Sequence, residues 1–382
     1  MIFSLNAKQS DDLFRLLYVF PISDVGVVAA PSTIFISGGD DDSGFLFACG
    51  EKPDKTAKFK VKVEDLKTAL GGHETKWVYQ DESLEVTNGK KVFVPVRTLA
   101  SESTTLRMTR VIQEIINGKR KPFTQACKTE DLYAAILFAN HARKTKSATL
   151  SNTNGVVLNV QNGILSFSST DSNRMSSFQL NHEKPEEFCR DLHLYEGTDQ
   201  LLHALKNSGK GKHVVTHIVE DNGLTYLIVL IQGHGFFRFV YFTLKKPTNQ
   251  LNAYEFIPYP KKLEEYGWHL IIKREEALDA LKEIKKHVGP DSVKLTYTDK
   301  KMHISALDKE KHNEKTWTIG CAPKRLGADG LRVILSLKYL QECVKAHGGP
   351  LIHCLLSASD PCFFFSKGGQ EKTLIMPKLR LF

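Results

Sequence analysis

One order of elements, helix then strands then helix then strands, runs three times through this chain at a period near 125 residues. A repeat of that length restricts the fold more than any motif within it. Each pass opens on an amphipathic helix, predicted over Ser10 to Val19, Thr129 to Ala142 and Lys273 to Val288. Ser10 and Thr129 stand where N-caps belong, acidic residues fill the first turns, and apolar residues return at three- and four-residue spacing. Alternating runs follow: Thr33 to Ser37 with Gly44 to Ala48, Val156 to Val160 with Ile164 to Ser168, and Val293 to Thr298 with Met302 to Ala306. Gln161-Asn162-Gly163 and Asp299-Lys300-Lys301 are short enough to close antiparallel hairpins. Second helices are predicted over Val63 to Leu70, Thr198 to Asn207 and Leu337 to Ala346, each running into glycine or polar residues. Further strands close each pass: Trp77 to Tyr79 through Val92 to Val96, Val214 to Val219 through Leu224 to Thr243, and Leu351 to Leu356 through Cys362 to Phe365 and Lys372 to Met376. With joints near 118 to 121 and 248 to 254, the chain reads as an α+β protein of three like domains, 1–118, 119–252 and 253–382.

The 382 residues exceed what a single core fills, and 41% hydrophobic with 25% charged residues suits packed domains. No run of eighteen apolar residues occurs and the first residues turn polar early, so neither a membrane span nor a signal peptide is expected. A cytoplasmic location with no membrane partner follows as the expectation. The seven cysteines are odd in number and scattered, with no C-x-x-C pair; a reducing compartment fits better than a disulfide framework or a zinc site. Formal charge is +9, with 14 basic against 16 acidic residues in 1–118, 16 against 11 in 119–252, and 22 against 16 in 253–382. The basic excess in the last two thirds favours a polyanionic partner.

Patterns for catalysis are thin. Gly209-Lys210-Gly211-Lys212 lacks the spacing of a P-loop and reads as a basic loop. His213 and His217 share a strand face without a third ligand, and Asp40-Asp41-Asp42 before Ser43-Gly44 reads as a hairpin turn. No G-x-S-x-G, H-E-x-x-H or kinase set is present. No enzyme activity, cofactor or metal is expected.

Two stretches carry a resemblance. The middle pass, from Phe123 to Leu180, places a helix and a hairpin before Thr170-Asp171-Ser172-Asn173-Arg174-Met175. The C-terminus reads Leu374-Ile375-Met376-Pro377-Lys378-Leu379-Arg380-Leu381-Phe382. Both resemble the bacterial replicative sliding clamp, the beta subunit of the replicase, whose patterns are T-D-G-H-R-L and V-M-P-M-R-L. Ser172-Asn173 departs from the family's Gly-His, Lys378 is an insertion, and Phe382 an extension. The basic charge also departs from clamps that tend to be acidic, as a divergent or mobile-element copy would.

The resemblance implies a DNA clamp fold, with helices lining the inside and antiparallel sheets outside, closed head to tail as a homodimeric ring. The implied function is a processivity factor that encircles double-stranded DNA without reading sequence. It tethers the replicative DNA polymerase, the clamp loader and other proteins that carry clamp-binding peptides. The alternative is a clamp-like interaction module that forms no ring and serves a transcription, recombination or repair partner. The family's peptide cleft maps onto Thr170, Arg174 and Met175 on one wall and Leu374, Met376, Pro377, Leu379 and Arg380 on the other. Met and Leu supply an adaptable apolar pocket, and Arg a donor for a peptide carboxylate or carbonyl. DNA-facing candidates are Arg15 and Lys67 in the first pass, and Arg143, Lys144, Lys146, Lys206, Lys210 and Lys212 in the second. The third pass adds Lys273, Arg274, Lys282, Lys285, Lys286, Lys338 and Lys345. Such side chains neutralise phosphate and permit sliding. For the ring contact the resemblance points to Phe93, Val94 and Val96 against Ile284 and Val288, residues that could equally be internal core.

Overall fold

The computed structural model describes all residues except 51, 71–72, 100–103, 144–154, 162–163, 172, 181–191, 195–196, 207–211, 233–235, 246–266, 288–291, 309–312, 328–329, 359, 367 and 378–382. The described residues form two compact units, 1–133 with 194–245 and 134–193 with 246–382, and each holds a twelve-stranded antiparallel sheet.

The first unit contains β1 (Ile2–Leu5), α1 (Ala7–Val19), β2 (Asp24–Ala30), β3 (Thr33–Gly39), β4 (Ser43–Cys49), β5 (Ala57–Lys62), α2 (Val63–Ala69), β6 (Thr75–Gln80), β7 (Ser83–Thr87), β8 (Lys91–Arg97) and α3 (Thr104–Ile116). It continues with β9 (Phe123–Lys128), the helix α4 (Thr129–Asn140) at its boundary, α5 (Gly197–Lys206), β14 (His213–Asp221), β15 (Leu224–Gln232) and β16 (Phe236–Leu244). Its sheet runs β1-β6-β7-β8-β5-β2-β3-β4-β16-β15-β14-β9. Helices pack on both faces. On one, Phe20 at the end of α1 meets Phe45 and Phe242, and Arg238 reaches Asp12 of α1 at 3.1 Å. On the other, Met108, Val111 and Ile112 of α3 bury against Val28, Phe35, Leu46, Tyr226, Ile228 and Tyr241. A sheet covered twice needs apolar residues at successive positions, and Val25–Ala29, Ile34–Ile36 and Phe45–Cys49 are buried without alternation.

The second unit contains β10 (Val156–Gln161), β11 (Ile164–Thr170), β12 (Arg174–Leu180), β13 (Leu192–Leu194), β17 (Trp268–Lys273), α6 (Arg274–His287), β18 (Ser292–Thr298), β19 (Lys301–Asp308), β20 (Asn313–Arg325), β21 (Arg332–Ser336), α7 (Leu337–Ala346), β22 (Leu351–Leu356), β23 (Cys362–Ser366) and β24 (Glu371–Ile375). Its sheet runs β13-β10-β11-β12-β24-β23-β22-β17-β20-β19-β18-β21. Ala277, Leu281 and Ile284 of α6 and Leu340, Cys343 and Val344 of α7 share a core with Leu270, Leu295, Ile304, Ile352, Cys354 and Phe364.

Some local expectations shift. The first helix starts at Ala7, not near Ser10, because Asn6 and Gln9 form a reciprocal capping box. Ser10 lies inside the helix, its hydroxyl 2.9 Å from that of Thr75. Thr129 is the first helical residue and its hydroxyl donates to the carbonyl of Lys212 at 2.9 Å. Helix α3, absent from the repeat pattern, covers the part of one sheet face formed by β2, β3, β4, β14, β15 and β16. Asn162-Gly163 lies outside the described residues, whereas Thr298 pairs with Lys301 through Asp299 and Lys300, both at positive φ, the geometry of a type I′ hairpin.

Candidate partner-binding face and helix lining

The turn between β11 and β12 is organised by Asp171. Its carboxylate accepts from the backbone N–H groups of Asn173 and Arg174, each at 3.1 Å, and from Arg174 Nε at 3.1 Å. The Thr170 hydroxyl donates to the carbonyl of Arg174 at 2.8 Å, and the N–H of Met376 to that of Asn173 at 2.9 Å. The C-terminal strand is thereby fastened to the turn.

Register places the apolar members on one face. Thr170 is opposite Met175, Met175 opposite Leu374, Leu374 opposite Phe363, Phe363 opposite Leu355, and Leu355 opposite His269. Met175, Leu355, Phe363 and Leu374 form one apolar cluster, joined by Phe365 and separate from the core beneath α6 and α7. Beside it, His353 stacks on Phe365 at 4.8 Å and the His269 Nε2 to His353 Nδ1 distance is 3.0 Å. Burial, then the neighbouring His353, pushes the His269 pKa down. Leu355, Phe363, Phe365 and the two histidines escaped the sequence reading; the alternation within Cys362-Phe363-Phe364-Phe365 was the available signal, since Phe364 is in the core and its neighbours face the other way.

Of the expected cleft residues, Thr170, Met175 and Leu374 come together in this row, Met376 is 44% exposed, and Pro377 follows it. Leu379 and Arg380 lie outside the described residues. Arg174 does not present a free donor. It is buried, holds Asp171 and Glu342 in ion pairs, and lays its guanidinium over the Tyr339 ring at 4.5 Å. Its strand parity is that of Ile375, a core residue, so it acts as a strut between the turn and α7.

The helix cations divide by their company. In the first unit Arg15 pairs with Asp11 at 2.8 Å, and Lys67 sits over the Tyr18 ring at 4.0 Å. Lys206 is exposed at the end of α5, and burial beside Lys8 and Arg238 lowers the pKa of Lys212. In the second unit Lys273, Lys282 and Lys286 pair with Glu276, Asp279 and Glu283. Lys285, Lys338 and Lys345 are exposed and have no ion pair among the described residues. Arg274 is half-buried, and its guanidinium donates to the carbonyls of Val344 and Lys345 at 3.1 and 2.9 Å, closing the last turn of α7. Arg143 is half-buried, and Lys144, Lys146 and Lys210 lie outside the described residues.

The expected ring contact is divided too. Phe93 is 69% exposed and Val96 half-buried, but Val94 and Ile284 are fully enclosed in the cores of their own units, which removes them as contacts for another chain. Val288 lies outside the described residues. Among the described residues no group of three or more His, Cys, Asp or Glu side chains could hold a metal. No described helix is long and apolar enough to cross a membrane.

No protein-family model and no curated protein matches this chain by sequence. Solved structures do match by fold. A DNA polymerase sliding clamp from Pseudomonas aeruginosa, solved with a ligand, is 14% identical, with 100% of both chains covered at a TM-score of 0.76. The DNA polymerase III beta subunit of Thermotoga maritima is 14% identical, with 100% of both chains covered at 0.72. A Pseudomonas aeruginosa clamp bound to griselimycin is 14% identical, again with full coverage, at 0.75. The chain therefore has the fold of the DNA polymerase sliding clamps, as the repeat and the two motifs predict.

Proposed function

We propose that this chain is a DNA sliding clamp. In this reading two copies close head to tail around duplex DNA and tether the replicative polymerase, the clamp loader and other proteins that carry clamp-binding peptides. The observation that carries it is coverage: the likeness spans all of this chain and all of each clamp, so no part of that architecture is missing. A clamp needs no reacting group, and the proposed role is non-catalytic and cytoplasmic. Three domains, 1–118, 119–252 and 253–382, remain the proposed division, the middle one sharing its strands between the two sheets.

The proposed DNA lining rests on the exposed Lys206, Lys285, Lys338 and Lys345, supplemented by the paired Lys273 at the end of β17 and Lys282 and Lys286 of α6. Lys338 and Lys345 are seven residues apart on one helix face, about 10 Å along the axis, a spacing that meets phosphates without reading bases. The peptide cleft is proposed at the row Thr170–Met175–Leu374, with Met376 and Pro377 at its rim; Phe93 is the proposed apolar contact in a head-to-tail interface.

Light scattering during size exclusion tests the ring: a mass of twice the 43.0 kDa chain at micromolar concentration is expected. Protein loaded on a nicked circular duplex should persist there and run off once the circle is cut. A monomer at every concentration would sink the ring and leave a clamp-like interaction module without closure.

A further inference from the structure

We infer that the face of the first unit covered by α3 carries a second nucleic-acid site, a track for single-stranded DNA between α3 and β5. The sequence of β5, Ala57-Lys58-Phe59-Lys60-Val61-Lys62, alternates lysine with apolar residues. Phe59 and Val61 are buried in the core, so Lys58, Lys60 and Lys62 stand on the opposite face. That face is the one on which α3 lies, because Lys58 is opposite Val28 and Val28 packs under α3. Arg97 of β8 joins it, directly opposite Lys60. From the helix side Arg107 and Arg110 line a groove of about 950 Å3 that also takes in Lys58, and among the described residues that line it there is no carboxylate.

Three of these cations are uncommitted: Lys58, Lys62 and Arg97 have no ion pair among the described residues. Lys60 is 3.8 Å from Asp24 and Arg110 is 3.8 Å from Glu114, both loose contacts at a surface where such pairs contribute little. Arg107 is held by Asp41 at 3.3 Å and positions the helix.

The geometry favours a single strand. Alternate residues of a strand are about 6.8 Å apart, so each lysine can meet a successive phosphate of an extended chain. The groove has the size of a small-ligand pocket, enough for one strand and too small to seat a double helix. A peptide is disfavoured because it would need partners for its own backbone, and beside Lys60 and Val61 β5 is already paired on both edges, with β2 and with β8. The nucleic-acid backbone needs only charge. The site lies wholly in the first unit and does not depend on ring closure or on the clamp reading.

The test uses the full-length protein and a fluorescein-labelled 20-residue oligothymidylate, read by anisotropy across salt concentrations. Lys58→Ala/Lys60→Ala/Lys62→Ala should weaken binding at least tenfold. It should also make the plot of log affinity against log salt shallower by about 2, the loss of three single-strand phosphate contacts. Arg97→Ala/Arg110→Ala, which leaves β5 intact, should weaken binding in the same direction. A charge-matched control, Lys300→Ala/Lys301→Ala/Lys324→Ala, should stay within twofold of the parent. Equal affinity for the parent and both track variants would overturn the proposal. So would displacement of the oligonucleotide by a 20-residue polyglutamate at the same concentration as by unlabelled oligothymidylate, which would reassign the surface to acidic peptides.

Discussion

Arg174 shows how one side chain can be conspicuous in a motif for a reason other than contact with a partner. Its guanidinium is buried between Asp171, Glu342 and the Tyr339 ring. Removing it leaves the largely buried Asp171 without its counter-charge, and Arg174→Ala should cost about 3 kcal/mol in urea unfolding. Glu342→Ala should cost under about 1 kcal/mol, because that carboxylate is 37% exposed. His141 supplies a pH signature. Its Nδ1 faces the carbonyl of Phe138 and must donate, so Nε2 accepts from the Ser176 hydroxyl at 2.9 Å and the ring is held neutral. Burial pushes its pKa down to about 4, below the ordinary value of 6.5. The unfolded chain therefore binds one more proton between those values. Stability due to this ring is complete above pH 6.5 and falls by at most about 3 kcal/mol as pH drops towards 4. Unfolding of the parent and of His141→Gln across that range checks it; a parallel pH dependence in both would assign the acid sensitivity elsewhere.

At the scale of elements, the tight hairpins differ in how well their residues suit them. Asn222 and Gly223 both adopt positive φ between β14 and β15, where asparagine and glycine are favoured. Asp299 and Lys300 adopt the same geometry between β18 and β19, and lysine is strained there. Lys300→Gly should stabilise the protein by about 0.5 to 1 kcal/mol, measured as a rise in unfolding midpoint with an unchanged denaturant slope. Helix α3 was legible in principle: Met108, Val111, Ile112 and Ile115 follow helical spacing, and the strands beneath lack alternation because they are covered twice. It went unseen because it sits outside the threefold pattern.

For the whole molecule, the charge of the first 118 residues misleads as a sum. That segment is acidic by formal count, yet the alternation of β5 gathers its lysines on one face. Where a strand points matters more than the total, since phosphate responds to local potential. The two nucleic-acid surfaces proposed for this protein separate experimentally. Topological retention on circular duplex depends on closure, whereas binding of a linear single strand does not. A variant lacking the β5 lysines should therefore keep its persistence on a nicked circle within about twofold while losing oligothymidylate binding.

What the sequence determined by itself is local and periodic. Helix α7 starts and ends where predicted, the third-pass hairpin closes at Asp299-Lys300, and Thr170-Asp171 through Met376 marks a real junction of strands. These follow from spacing, capping and turn chemistry, which act over a few residues. The tertiary structure decided which face each residue meets. Ile284 and Val94 are enclosed while Phe93, next to Val94, is exposed, and Arg274 caps α7 from 70 residues away. Arg174 finds Glu342 at a separation of 168 residues, and Phe363 joins Met175 and Leu374 only after β12, β24 and β23 pair. Side chains that one sequence presents identically become core, strut or surface only when distant strands fix the direction in which they point.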